Sequence, residues 1–161
     1  LMNLPQKEIA FKHYNLSADK PVILVLGGSL GARVINESVM KHLFLLQKSN
    51  VQMLWQTGKL YHKEMLVRAD LPDDSPIKIL EFIKEMEMAY AAADVIVSRA
   101  GALSVSELAI IGKPVIFVPS SGVAEDHQTK NANSLVTKDA AILVTDHESV
   151  DVLIPKALEL L

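Results

Sequence analysis

The run Val22-Ile-Leu-Val-Leu26 is wholly apolar, largely β-branched, and closed by Gly27-Gly28. A run of this kind suits a strand buried on both faces, so helices must cover both sides of its sheet. The residues that follow obey a different period. Across 30–48, Val34, Ile35, Val39, Leu43 and Leu46 recur at helical spacing. The same alternation continues to the end of the chain. Further strands are predicted at 51–55, 77–80, 94–98, 115–118 and, as a weaker run, 141–144. Helices are predicted at 60–69, 85–93, 103–111, 125–138 and 148–161. Gly112 and Pro114 stop the helix predicted at 103–111. Six strands alternating with helices predict an α/β, doubly wound, Rossmann-like parallel sheet in a single domain, 1–161. Residues 1–19 read as a lead-in segment with no element assigned. Right-handed crossovers place every loop after a strand on one edge, where such sheets bind ligands. Those loops are 27–32, 56–59, 80–86, 98–104 and 119–128.

Composition narrows the chemistry. The 161 residues include no cysteine, which removes disulfide scaffolds, zinc ribbons and thiol nucleophiles together. A net charge of −3 argues against a partner held by phosphate neutralisation along a duplex, so no nucleic acid is expected. No apolar run approaches the roughly 18–20 residues of a membrane span; Met88 to Ala93 is broken by Asp94. The histidines lack metal-ligand spacing, and no metal or cofactor motif is present.

Four loop clusters stand out. Gly27-Gly28-Ser29-Leu30-Gly31-Ala32 follows the first strand and opens a helix. Glycines let backbone N–H groups approach an anion, and a helix N-terminus favours negative charge there. The loop is neither GxGxxG nor a Walker loop, and strand two ends at Gln56, with no acid to hold a dinucleotide ribose. The loop suggests a phosphate or diphosphate site, the alternative being a tight strand-to-helix turn without a ligand. Ser98-Arg-Ala-Gly-Ala-Leu-Ser-Val-Ser-Glu107 is a second small-residue loop opening a helix, near the expected switch point of the sheet. Within it Ser104 and Glu107 also fit a capping box, in which Glu107 would serve only its own helix; the alternative is a carboxylate accepting from a ribose diol. After strand five, Gln128 and Asn131 share a helical face beside His127. Their amides suit sugar hydroxyls or an ordinary polar first turn. After strand three, Phe82, Ile83 and Met86 suit either a slot for a planar base or the core.

In order, the segments GGSLGARVIN, QTGK, EFIKEM, SRAGALSVSE, GKPVIFVP and DHQTKNA resemble the MurG family of bacterial peptidoglycan glycosyltransferases, from about Val22 to the C-terminus. The resemblance implies the donor-binding, C-terminal half of a GT-B enzyme. Such an enzyme moves N-acetylglucosamine from UDP-N-acetylglucosamine to lipid I, making lipid II. It implies that Gly28 and Ser29 meet the diphosphate or sugar, and that Phe82, Ile83 and Met86 hold the uracil. Ala102, Leu103 and Ser104 would line the diphosphate–sugar region and Glu107 would bind the ribose. His127, Gln128 and Asn131 would meet the sugar; some relatives carry Gln at 127, and Thr at 104. It further implies inversion without a metal, no cofactor, and no catalytic residue in this chain. Residues 1–19 would come from an interdomain region. The partner would be an N-terminal acceptor domain and, through it, lipid I. The domain would be cytoplasmic and its parent peripheral on the cytoplasmic face of the inner membrane, and the isolated domain inactive. Two other functions fit the same residues: a soluble donor-binding subunit of a split transferase, and a non-catalytic nucleotide-binding module.

Overall fold

The computed structural model describes residues 3–121 and 125–161. One sheet holds β1 (Val22–Leu26), β2 (Gln52–Gln56), β3 (Ile77–Leu80), β4 (Val95–Ser98), β5 (Val115–Phe117) and β6 (Ile142–Leu143). The helices among the described residues are α1 (Lys7–Tyr14), α2 (Arg33–Lys41), α3 (Leu43–Lys48), α4 (His62–Ala69), α5 (Met86–Ala92), α6 (Ala102–Ile111), α7 (Glu125–Val136) and α8 (Asp146–Glu159). The strand order is β3-β2-β1-β4-β5-β6 and every pairing is parallel. This is the expected doubly wound sheet, with its switch point between β1 and β4.

The pleat explains the two cores. Val22, Leu24 and Leu26 point to one face, against apolar residues of α1, α5, α6 and α7. Ile23 and Val25 point to the other, against α2, α3, α4 and α8. All five β1 residues are buried, as a central strand covered on both sides requires. Trp55 and Phe117 are the bulkiest fully buried side chains, one in each core.

Two expectations change. The helix expected over 30–48 is two helices, because the backbone bends at His42 (φ −102°, ψ 15°). The bend turns α3 so that Leu46 reaches the core. Residues 1–19, expected to carry no element, contain α1. Its apolar residues Ile9, Ala10, Phe11 and Tyr14 span fewer than two turns, too little to show a helical repeat in the sequence. Packing against α5, with Ala10 and Phe11 buried, orders the helix. Lys7 Nζ to Asp94 (2.5 Å) and Tyr14 Oη to the Glu85 carbonyl (3.4 Å) complete the contact.

The strands end level with one another. Leu80 pairs with Gln56, Gln56 with Leu26, and Leu26 with Ser98. The loops that leave these residues therefore start side by side along one edge.

Candidate functional site

The loop after β1 lies against the loop after β2. Gly27 N–H donates to the Gln56 carbonyl (3.2 Å), Lys59 N–H to the Ser29 carbonyl (3.0 Å) and Leu60 N–H to that of Leu30 (3.1 Å). Gly31 (φ +99°) and Gly58 (φ +80°) sit where the two backbones cross. A Cβ on Gly58 would lie 2.1 Å from the Gly31 nitrogen, and one on Gly31 would lie 2.4 Å from the Thr57 oxygen. Only glycine fits either position. Beneath the crossing, buried Asn36 donates to the Thr57 carbonyl (3.0 Å) and accepts from Trp55 Nε1 (2.9 Å). Gly28 is different: its φ is +83°, but a Cβ there would meet nothing within 4 Å. Gly28 and Ser29 are exposed at the rim of the edge.

The loop after β3 is tied to β2. Buried Gln56 accepts from Ile83 N–H through Oε1 (3.0 Å). Phe82, at 56% exposed, stands open beside Ile83, at 2%. Met86 opens α5, half-buried against the core. Of the three residues read as a base slot, Phe82 is the open one and the Ile83 side chain belongs to the core.

The loop after β4 brings in α6. Gly101 is its N-cap, with extended backbone (φ −61°, ψ 149°) and no side-chain cap. Ala102 and Leu103 are exposed at the first turn, and Ser104 and Glu107 lie half-buried further in. The capping-box alternative for Ser104 and Glu107 is therefore overturned: the helix begins before Ser104, so Ser104 cannot be its N-cap. Glu107 instead accepts from Tyr90 Oη of α5 through Oε2 (3.1 Å). Burial, and then the Glu107 charge, push the Tyr90 phenol above the ordinary tyrosine value.

Residues 122–124, and with them part of the 119–128 loop, lie outside the described residues, as do the side chains of Glu125 and Asp126. Within α7, His127 is exposed. Gln128 Oε1 accepts from Ser120 N–H (2.9 Å) and Asn131 Nδ2 donates to the Ala100 carbonyl (3.3 Å). The two amides read as sugar ligands thus face the loops after β5 and β4, and each spends one polar atom holding that loop.

The first turns differ in charge. An acid occupies the first turn of α1, α4, α5 and α8. None occupies that of α2, α3 or α6, and of these α2 and α6 follow the two strands at the switch point. A helix N-terminus carries unpaired N–H groups and about half a positive charge. A carboxylate there would repel an anion. Its absence at these two positions leaves both ends fit to receive one.

Residues 22–161 match the glycosyltransferase family 28 C-terminal domain. The chain belongs to this family. Its curated relatives include the UDP-N-acetylglucosamine–N-acetylmuramyl-(pentapeptide) pyrophosphoryl-undecaprenol N-acetylglucosamine transferase of Bacteroides fragilis, 49% identical over 99% of this chain and 42% of that protein. The transferase of the same name from Cytophaga hutchinsonii is 51% identical over 96% of this chain and 41% of that protein. The crystal structure of Acinetobacter baumannii MurG superposes with a TM-score of 0.77 at 33% identity, covering 99% of this chain and 47% of that one. The chain thus spans about two fifths of the curated relatives it matches.

In this family 28 domain, three residues that sequence reasoning left without a role hold the edge together. Arg99 Nη1 donates to the carbonyls of Val118 (3.0 Å) and Pro119 (3.2 Å) and to Asp146 Oδ1. Asp146 Oδ2 accepts from Ser121 N–H (2.9 Å) and Oγ (2.6 Å). Burial raises the Asp146 carboxyl, but the bonds from Ser121 and Arg99 outweigh it and hold it below the ordinary aspartate range. Arg99 lies in a loop the sequence singles out, yet its acid is distant in sequence at the start of α8. Tyr90 carried a local signal: it is the one hydroxyl in the apolar run Met88–Ala93. Among the described residues, no group of three or more His, Asp or Glu side chains is placed to hold a metal ion. No described helix is long and apolar enough to cross a membrane.

Proposed function

We propose that the chain is the UDP-N-acetylglucosamine-binding half of an inverting glycosyltransferase that makes lipid II from lipid I. The observation that carries this reading is the pairing at the switch point: the helices after adjacent strands β1 and β4, α2 and α6, both begin free of first-turn acids, and α6 carries Glu107 in its second turn. A diphosphate bound between the two ends meets backbone N–H groups from both sides. The nucleotide then points its ribose at Glu107 and its base toward Phe82, Ile83 and Met86. The sugar lies toward α7, where His127, Gln128 and Asn131 contact its hydroxyls. Ala102, Leu103 and Ser104 line the turn between them, with Gly28 and Ser29 opposite.

The chemistry follows from that placement. When the acceptor hydroxyl attacks the anomeric carbon, the sugar–phosphate bond breaks and negative charge grows on the diphosphate. Fixed N–H dipoles at the two helix ends stabilise that charge without reorganising. The donor-binding residues do not include a base for the acceptor proton. That base, the lipid I site and the contact with the cytoplasmic face of the membrane are assigned to an N-terminal acceptor domain, joined to residues 1–19. The names of the curated relatives, which specify this donor sugar and a lipid-linked acceptor, support the reading.

Calorimetry tests it directly. The chain is expected to bind UDP-N-acetylglucosamine and UDP, to ignore NAD, and to transfer no sugar to lipid I by itself. Absence of heat with either uridine ligand at millimolar concentration overturns the proposal.

A further inference from the structure

Tyr90 is 2% exposed, its ring packed in the core beneath α5 and α6. Only its hydroxyl leaves the core, to donate to one oxygen of the half-buried Glu107. A buried phenol needs a partner, but a carboxylate with access to water does not. Glu107 has several rotamers open to it, and ordering such a side chain on binding weakens affinity. The bond from Tyr90 orders it beforehand. It also commits Oε2 to the protein, so that a ligand would meet the carboxylate through Oε1. Tyr90 stands on the helix that Met86 opens, so the base loop and the ribose carboxylate are braced by one rigid element.

We propose that Tyr90 is a positioning residue for recognition of a vicinal diol: its hydroxyl aims Glu107 at the ribose while touching no ligand itself. This rests on the reading of Glu107 as the ribose ligand. The consequence is selective. Loss of the hydroxyl weakens ligands that carry the diol and spares those that lack it, whereas a merely structural loss weakens both alike.

The test compares UDP with 2′,3′-dideoxyuridine diphosphate by calorimetry on wild type, Tyr90→Phe, Glu107→Ala and the double variant, with thermal midpoints recorded. Tyr90→Phe is expected to weaken UDP about 3- to 10-fold and to leave the dideoxy ligand unchanged. In the Glu107→Ala background it should have no further effect. Para-aminophenylalanine at position 90, which restores a donor on the same ring, should restore the preference for UDP. If Glu107→Ala leaves the preference for UDP intact, the ribose reading falls, and the proposal with it. If Glu107→Ala abolishes the preference but Tyr90→Phe keeps it, or Tyr90→Phe weakens both ligands equally, the ribose reading stands and the role of Tyr90 is overturned.

Discussion

The two halves of the carboxyl edge are held by different means. On the β1–β2 side, the loops meet backbone to backbone, with Gly31 and Gly58 in contact and no ionised group involved. On the β4–β5–β6 side, side chains do the joining: Arg99 to Asp146, Asp146 to Ser121, Gln128 to Ser120, Asn131 to Ala100 and Tyr90 to Glu107. Close backbone contact, supported by neutral hydrogen bonds such as that of Asn36 to Thr57, sets the first geometry, so an atom added at Gly31 or Gly58 damages it. Polar pairs set the second, so it tolerates atoms but depends on protonation. In the proposed function, the shape-fitted half supplies one of the two helix ends that meet the diphosphate, and the side-chain half supplies the other and meets ribose and sugar. Those demands match: a diphosphate needs close backbone approach, whereas hydroxyls need directed side-chain partners.

The comparison breaks most easily at the crossing. Gly58→Ala is expected to destabilise the domain by about 3 kcal/mol or more, combining left-handed strain with a clash against the Gly31 backbone. Chemical denaturation measures it; a loss under about 1 kcal/mol, the ordinary cost of a strained turn alanine, would show that the loops need not touch. On the opposite half, Glu107→Ala should cost roughly 1.5–3 kcal/mol in UDP affinity, the range for hydrogen bonds to a charged group. Its thermal midpoint should fall modestly, because the buried Tyr90 hydroxyl loses its acceptor although no helix loses a cap.

Asp146→Asn should cost about 1–2 kcal/mol of stability at neutral pH by weakening its bonds to Arg99 and Ser121. Because the folded carboxyl titrates below its ordinary value of 3.8, its contribution is full above that value. It is lost as pH falls through the lower, folded one. The curves of stability against pH for wild type and for Asp146→Asn should therefore converge at low pH; parallel curves would show that the Asp146 charge does not hold Arg99 and Ser121. Gly28→Ala is the smallest effect, about 1 kcal/mol of stability, since the alanine meets only backbone strain. A disproportionate loss of UDP affinity in that variant would sharpen the assignment of the rim to the diphosphate.

The sheet was legible because its strands are short and apolar and its helices periodic. β1 was predicted to the residue, since Pro21 and Gly27 bound an unbroken run. Helix α1 was not legible: its two fully buried residues are adjacent in a short apolar stretch, and packing against α5 in the assembled core is what buries them. The loops carrying the candidate site were legible as unusual clusters, of small residues after β1 and β4, of apolar residues after β3 and of amides after β5. What each side chain does there was less so. Gln128 and Asn131 look like solvent-facing amides, yet each holds a neighbouring loop. Ser104 and Glu107 match a capping pattern by spacing, but Gly101 starts the helix earlier and leaves Glu107 to Tyr90.

Local chemistry is written along the chain, so the sequence alone determined the α/β alternation, the buried character of β1, the glycine loops and the acid-free starts of α2 and α6. Whatever depends on partners distant in sequence was decided by the tertiary structure. Gly31 meets Gly58, Tyr90 meets Glu107 and Arg99 meets Asp146 only once parallel crossovers have set β1 between β2 and β4. Periodicity specifies which face of an element is buried. It does not specify what lies against that face, and the candidate site is built from those contacts.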